Sequence, residues 1–280
     1  MRSHRAYRPL AVGMALLAVV IAGVLYAAMW GHGAETRVAV EIRLQPPTPA
    51  HPFGTDDLGR DLFFRVLGGG MIAFQVGLVA VGIGLAAGVT LALVAARWRG
   101  WWAHLLGRLM DGLMAFPAIL LALAIVAVLG SGAVPAMIAI GIVLVPVFWR
   151  QTRAQALSIE GREFVTAARG LGATEGRMLM RHIMPQIAPL LVIQATTTFS
   201  GAVLSEASLS YLGVGTQPPV PSWGRMLLEA TRALAIAPWM AVFPGLALAL
   251  TVLGINLLGD GLRDALDPQL RRVAGKEPVL

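Results

Sequence analysis

Few side chains in this sequence have the type and spacing that catalysis or metal binding requires. There is no cysteine, so thiolate chemistry and disulfide bonds are excluded. The 5 histidines are scattered, and no two of them have the four-residue spacing of metal ligands on one helix face. Three nearby acids, Asp56, Asp57 and Asp61, do not match the twelve-residue calcium loop. We therefore predict no metal site, no cofactor and no catalytic residue.

The sequence also lacks the features of nucleotide hydrolysis. It contains no G-x-x-x-x-G-K-[ST] segment, in which backbone amides and a lysine hold the phosphates. Lys276 is the sole lysine and lies close to the end of the chain. The chain is therefore not expected to hydrolyse ATP, and an ATP-driven process would need a separate ATPase.

A group of polar side chains interrupts an apolar stretch near residue 200. The candidates for lining a passage are Gln194, Thr197, Ser200 and Glu206. Their hydroxyl and amide groups could border a path for a hydrated solute, or they could cross-link helices at about 0.6 to 2 kcal/mol each. Glu206 has two readings as well: an acid within a membrane segment suggests function, but the favoured reading is structural, with Glu206 at the outer interface or bracing a neighbouring helix.

The elements that position these groups are predicted to be membrane helices. Of the residues, 57% are hydrophobic and 13% charged, whereas soluble domains carry about 25% charged residues. The long apolar runs suit helices that cross about 30 Å of hydrocarbon, and the period-two alternation of a membrane barrel is absent. We predict six spans, at residues 9–29, 71–96, 109–129, 133–149, 187–209 and 238–258.

The placement of basic residues predicts the orientation of these spans. If the N-terminus is inside, the outside segments hold only Arg37, Arg43, Arg60, Arg65, Arg225 and Arg232 of the 22 basic residues. Positive residues concentrate on the cytoplasmic side of membrane proteins, so both termini are expected in the cytoplasm. This topology explains the net charge of +7 without a nucleic acid partner.

A charged segment lies between the fourth and fifth predicted spans. Each of its acids and arginines would cost about 2.5 to 3.5 kcal/mol at the bilayer centre, so the segment must stay out of the hydrocarbon. Phe164, Ala167, Ala168 and Leu171 follow the i, i+3, i+4, i+7 pattern of a short helix with one apolar stripe, and Gly172 predicts a sharp turn after it. Such a helix suits either a groove on another protein or the lipid headgroups.

Four segments together resemble a known family. "TAARGLG", followed ten residues later by "IMP", resembles the cytoplasmic loop motif of bacterial ABC-importer permeases. The segments that begin at His51, Ser205 and Pro244 resemble the C-type permease subunits of the dipeptide, oligopeptide and nickel group. The resemblance covers nearly the whole chain and is weakest over its N-terminal part.

The resemblance implies a set of residues that couple the chain to an ATPase. They are Glu163, Thr166, Ala167, Ala168, Arg169, Gly172, Ile183 and Pro185. The two alanines match the pair on the family's coupling helix, Gly172 matches its motif glycine, and Ile183 and Pro185 match the closing residues. Thr166 stands where the family usually has glutamate, and Met184 stands for leucine. We hypothesise that Glu163, one turn earlier, replaces the missing acid.

The resemblance also implies an architecture and a set of partners. The expected fold is an all-α membrane protein, the type I ABC importer transmembrane domain with six transmembrane helices and a cytoplasmic coupling helix. Residues 1–70 would form an N-terminal anchor helix and external loop, residues 71–265 the permease core with a coupling loop at 150–186, and residues 266–280 a cytoplasmic tail. The expected partners are a B-type permease subunit, two ATP-binding subunits, an extracytoplasmic solute-binding protein and membrane lipid.

The implied function is that of a permease subunit in the bacterial inner membrane, forming half of the pathway of an ATP-driven importer. Small peptides are the expected substrates, because the segment from Glu206 to Gly224 is most similar to the dipeptide and oligopeptide members. Nickel or a metal chelate is the alternative. A second reading, from another class, is a membrane scaffold or enzyme-anchoring subunit that transports nothing; the polar fifth span, the charged loop and the family resemblance favour the transport subunit.

Overall fold

The computed structural model describes residues 3–31, 33, 35–97 and 100–266, and within these ranges the chain is α-helical and forms no β-strand. The helices are α1 (Ser3–Trp30), α2 (Leu62–Arg97), α3 (Trp101–Met114), α4 (Ala118–Leu129), α5 (Ala133–Glu160), α6 (Glu163–Gly170), α7 (Glu175–Met178), α8 (Met184–Tyr211), α9 (Trp223–Ala230) and α10 (Trp239–Leu266). A π-helical turn, Leu179–Ile183, joins α7 to α8. Most of the predicted tail, residues 267–280, lies outside the described residues.

Five helical segments of the described chain are long and apolar enough to cross a membrane, and a bent pair brings the number to six. The five are Pro9–Trp30, Leu62–Ala96, Ala133–Glu160, Glu175–Tyr211 and Trp239–Ala265. The sixth is α3 with α4, which meet at an angle of 97°. The predicted all-α membrane fold is confirmed.

The third predicted span, residues 109–129, is not one continuous helix. α3 ends at Met114 and α4 begins at Ala118, with Pro117 at the break in an extended conformation. Proline has no N–H to continue the helix, and its ring disfavours a helical conformation in the residue before it. With 12 residues, α4 is about 18 Å long and covers little more than half of the hydrocarbon by itself.

Other helix boundaries also differ from the predicted spans, among them the start of α2 and the end of α5. α2 begins at Leu62 rather than Met71, because the carboxylate of Asp61 accepts hydrogen bonds from the backbone N–H groups of Phe63 (2.8 Å) and Phe64 (3.4 Å). α5 continues to Glu160, beyond the predicted end at residue 149. The connection between α5 and the next long helix is therefore shorter than the predicted loop at 150–186.

Glycines allow a close contact between α2 and α5. A Cβ atom on Gly88 would lie 2.6 Å from the carbonyl oxygen of Val145, and one on Gly84 would lie 2.6 Å from Cβ of Leu144. These two glycines, four residues apart, therefore serve close helix packing. α8 packs against this pair, and α1 packs along α10 on the other side of the molecule.

Ion pairs hold together the segment before α2 and the short helix α9. Arg60 Nε lies 2.6 Å from Asp56, and its Nη2 lies 3.1 Å from Glu229 on α9. Arg65, fully buried in the first turns of α2, contacts the same two carboxylates at 3.3 and 3.4 Å. The acids and arginines before the second predicted span thus form a structured turn.

Candidate functional site

α6 has an inner face and an outer face. Val165 is fully buried, and Ala168 packs against the main hydrophobic core. Phe164 and Leu171 are exposed, the latter by 89%, and Ala167 lies exposed between them. Of the predicted apolar stripe, only Ala168 faces the chain's own core. Phe164, Ala167 and Leu171 face outward and form an apolar surface.

The remaining predicted coupling residues are distributed between these faces. Glu163, in the first turn of α6, and Thr166 are exposed on the outer side, where an acid also suits the positive end of the helix dipole. Ile183 is fully buried in the π turn, and Pro185 is exposed at the start of α8. The structure thus brings Glu163, Thr166 and Ala167 onto one surface and leaves Ile183 in the core.

A glycine turn ends α6 and starts the next helix. Gly172 has φ of +83°, a left-handed conformation that a side chain disfavours. Its N–H donates to Arg169 O (3.0 Å) and the N–H of Ala173 donates to Ala168 O (3.1 Å), the pattern of a Schellman motif. Thr174 then caps α7, accepting from the N–H of Arg177 at 3.4 Å. The sharp turn predicted at Gly172 is confirmed.

Arg169 lies inside this turn and connects its two helices. Its Nε and Nη2 atoms donate to the two carboxylate oxygens of Glu175, at 2.9 and 3.2 Å. These hydrogen bonds, with smaller contributions from the charges of Glu175 and of Glu160 at the end of α5, raise the pKa of Arg169. One guanidinium therefore interacts with α5, α6 and α7, instead of pointing outward as a free cation.

The turn leads directly into the helix that carries the predicted passage residues. α7, the π turn and α8 form one helical segment from Glu175 to Tyr211, 37 residues or about 55 Å long. The π turn ends two residues before Pro185, which has no N–H to donate. Single π turns occur often at functional sites.

A polar stripe runs along one face of α8. It consists of Gln194, Thr197, Thr198, Gly201, Ser205 and Ser208, which recur at helical spacing over about 21 Å. The hydroxyl groups donate to carbonyl oxygens of the preceding turn, such as Ser205 Oγ to Gly201 O at 2.8 Å, and so keep their lone pairs free to accept. The stripe occupies roughly two thirds of the hydrocarbon thickness.

This stripe borders a groove of about 350 Å³ between α4, α5 and α8. Gln194 and Thr197 form part of its polar wall, together with Thr198 and Ser205. The opposite wall is apolar and comes from residues 118–122 of α4 and 140–144 of α5. No ionisable side chain lines the groove in the described part of the chain, so its surface offers neutral polar and apolar contacts.

The other two passage candidates point away from the groove. Ser200 is buried and donates to Asn256 Oδ1 of α10 at 2.7 Å, which is a helix cross-link. Glu206 is 2% exposed and accepts hydrogen bonds from Ser210 Oγ (2.6 Å) and Thr216 Oγ1 (3.0 Å). These contacts tie the end of α8 to the loop that follows it, and they favour the bracing reading of Glu206 over the passage reading.

One acidic group of the described residues has a geometry that a cation could use. One carboxylate oxygen from each of Asp56, Asp57 and Glu229 lies within 4.8 Å of the others. Arg65 and Arg225 also pair with Asp56 or Glu229, so three positive charges offset three negative ones, and the guanidinium of Arg60 alone reaches all three acids, at 2.6 to 3.7 Å. A metal would have to displace this guanidinium, so the cluster fits a salt-bridge network better than a metal site.

Two features of the site were missed by sequence reasoning. The first is the ion pair between Arg169 and Glu175, which spans the glycine turn. The sequence signal for it is an arginine and an acid six residues apart, on either side of the turn glycine Gly172. The second feature is the apolar wall of the groove, which α4 and α5 form. This wall depends on the break at Pro117, and the prediction of one continuous third span did not include that break.

Comparisons with known proteins agree with this arrangement. Residues 88–272 match the family described as "Binding-protein-dependent transport system inner membrane component". The chain is 42% identical over 260 residues to the dipeptide transport system permease protein DppC of Alkalihalophilus pseudofirmus, covering 93% of this chain and 86% of the relative. It is 45% identical over 264 residues to the glutathione transport system permease protein GsiD of Escherichia coli, covering 94% and 87%.

Proposed function

Because the chain belongs to the family of binding-protein-dependent transport system inner membrane components, we propose that its polar stripe and its α6 turn are the two working parts of a peptide importer. The chain is a multi-pass inner membrane protein and a permease subunit of an ABC importer. Such a subunit is not itself the enzyme, so the energy must come from another chain.

The observation that carries this proposal is the continuity of one helix. The segment Glu175–Tyr211 begins at the Gly172 turn and bears the polar stripe along its length. A displacement of α6 can therefore be transmitted to the wall of the groove through one continuous helical segment. A partner that binds α6 differently in two states can then shift the groove between two states as well.

The partner at α6 is one of two ATP-binding subunits in this proposal. Its contact is the outer surface of α6, where Ala167 permits close approach and Leu171 offers apolar area. Glu163 supplies the acid that Thr166 does not, and this hypothesis fails if Glu163→Gln leaves the stimulated ATPase rate of the reconstituted complex unchanged. α6 and both termini lie in the cytoplasm, as the basic residues predict.

The other proposed partners complete the pathway. A B-type permease subunit closes the open side of the groove, because a groove with one polar wall cannot enclose a hydrated solute alone. An extracytoplasmic solute-binding protein delivers the substrate to the face that holds Arg60 and Glu229. Substrate selection lies largely with that protein.

Small peptides are the proposed substrates. The two relatives carry dipeptide and glutathione transport in their names. The stripe adds independent support, because hydroxyl and amide acceptors suit the N–H groups of peptides, and the apolar wall suits their side chains. Nickel is less favoured, since the groove presents no histidine or acid within the described residues.

The test is ATP-driven uptake of a radiolabelled dipeptide into proteoliposomes that contain the complex purified through a tag on this chain. The variant Gln194→Leu with Thr197→Val should lower uptake by about thirtyfold, since two lost hydrogen bonds of about 1 kcal/mol each add up to about 2 kcal/mol. Thr196→Val is the matched control, because Thr196 makes the same bond to its own helix but faces the groove between α2 and α8. Equal uptake by both variants, or uptake of nickel in place of peptide, would refute the proposal.

A further inference from the structure

Gly201 lies at the middle of the polar stripe on α8 and is the only glycine of that helix. Gln194 and Ser208, at the two ends of the stripe, are each about 10 Å away along the helix axis. Gly201 also borders the groove between α4, α5 and α8. The polar wall of the groove therefore has a position without a side chain at the midpoint of the stripe.

Packing within the chain does not account for this glycine. A Cβ atom on Gly77, Gly84 or Gly141 would lie 2.5 to 2.8 Å from a side chain of a neighbouring helix, so these glycines are needed for close helix contacts. A Cβ atom built on Gly201 meets no atom of the described chain within 4 Å. Glycine costs a helix about 1 kcal/mol relative to alanine, and at position 201 no contact of the described residues offsets that cost.

The rotation of α8 is fixed on both sides of Gly201. Ser200 Oγ donates to Asn256 Oδ1 of α10 at 2.7 Å, and Ala202 and Val203 are fully buried. A side chain at position 201 could not turn away from the groove without breaking these contacts. Any substituent at this position must therefore extend into the groove.

The groove is small enough for such a substituent to matter. Its volume of about 350 Å³ lies near the lower end of the range of small-molecule sites, about 300 to 1,000 Å³. The wall opposite α8 includes Ala118 and Ala122 of α4 and Leu144 of α5. Because glycine has no Cβ, a solute between these walls can approach the backbone of α8 closely at Gly201.

We propose that Gly201 is a specificity-determining residue of the groove. Its missing side chain sets the width at the middle of the stripe, and thereby the size of the largest peptide side chain that can pass. This inference rests on the proposed function, because it requires a peptide in the groove. A larger residue at position 201 excludes bulky peptides first and leaves small peptides able to pass.

The test compares ATP-driven uptake of radiolabelled glycylglycine and phenylalanylphenylalanine, in the presence of the solute-binding protein. The proteoliposomes contain the complex purified through a tag on this chain. One added methyl group can change discrimination by about tenfold, so Gly201→Ala should lower the ratio of large-peptide to small-peptide uptake by about tenfold. Gly201→Val should lower it further. A general loss of stability would reduce both uptake rates and leave their ratio unchanged.

Gly82→Val is the matched control. A Cβ atom on Gly82 also meets no atom within 4 Å, but this glycine borders the apolar groove between α2 and α8. The inference is overturned if Gly201→Val, Gly82→Val and the wild type give the same ratio. It is also overturned if the Gly201 variants lose the partner permease in a pull-down, because a helix of that subunit would then pack against this glycine. A wild-type complex that takes up neither peptide refutes the proposed function itself.

Discussion

At the scale of single residues, the charge on Arg169 acts within the chain. A partly exposed ion pair is usually worth no more than about 1 kcal/mol, but a bidentate geometry adds directional specificity. The pair with Glu175 fixes the angle between α6 and the long helix that begins at Glu175. Its contribution should therefore be seen in coupling more than in stability.

Charge exchange tests this role of Arg169. Arg169→Glu places two acids across the turn, and we expect ATPase stimulation by the loaded binding protein to fall severalfold. The double variant Arg169→Glu with Glu175→Arg restores an opposite pair and should recover most of the stimulation. Failure of the double variant, with the complex still assembled in a pull-down, would show that Arg169 contacts the ATPase directly.

A glycine is needed at position 172 because of its backbone conformation, and not because a larger side chain would clash there. No atom lies within 4 Å of a Cβ built on it, but its φ of +83° costs a side chain about 1 to 2 kcal/mol. Gly172→Ala should therefore weaken the turn and reduce stimulated ATPase activity. Gly170→Ala is the control, because Gly170 has equal space and belongs to α6. Equal activity of the two variants would argue against a role for the turn geometry.

At the scale of elements, some contacts follow from sequence pattern and others depend on helix rotation. Gly84 and Gly88 predict close packing because glycine has little other use inside a membrane helix. Ser200 and Thr197, in contrast, look equivalent in sequence. Asn256, far away in the sequence on α10, binds Ser200 and thereby turns Thr197 toward the groove. Local composition cannot specify such a partner.

The short helix α6 shows the same limit. Both of its faces carry apolar residues, so periodicity alone predicts a stripe without telling which side meets the core. The structure buries Val165, which the predicted stripe did not include, and exposes Leu171. The break in the third span was readable in principle, since Pro117 stands in the middle of the apolar run.

The contact between α2 and α5 gives a prediction at this scale. Gly88→Ala forces a methyl group against Val145 O, Phe148 Cβ and the backbone of the next residue, all within 2.9 Å. Overpacking of this kind costs about 1 to 3 kcal/mol, so the unfolding temperature in detergent should fall by several degrees. Gly82→Ala on the same helix meets no atom within 4 Å and should leave the unfolding temperature unchanged. Equal unfolding temperatures of the Gly88→Ala and Gly82→Ala variants would mean that α2 and α5 can move apart at little cost in free energy.

At the scale of the whole molecule, the proposed coupling requires two distant regions to move together. The ion-pair cluster of Arg60, Arg65 and Glu229 holds α2 and α9 at one end, and the Gly172 turn lies at the other end of the same bundle. α8 runs between these ends and packs against both α2 and α9. This arrangement requires the α6 turn and the α9 region to lie on opposite sides of the membrane.

The absence of cysteine makes that topology directly measurable, because any introduced thiol is the only one in the chain. Leu171 and Leu234 are well matched, since both are exposed leucines, at 89% and 53%, on either side of the segment Glu175–Tyr211. A membrane-impermeant maleimide should label Leu234→Cys in intact spheroplasts. It should label Leu171→Cys only after the membrane is permeabilised, because the distribution of basic residues predicts that this loop is cytoplasmic. Labelling of Leu171→Cys from outside would invert the topology and separate α6 from any cytoplasmic ATPase.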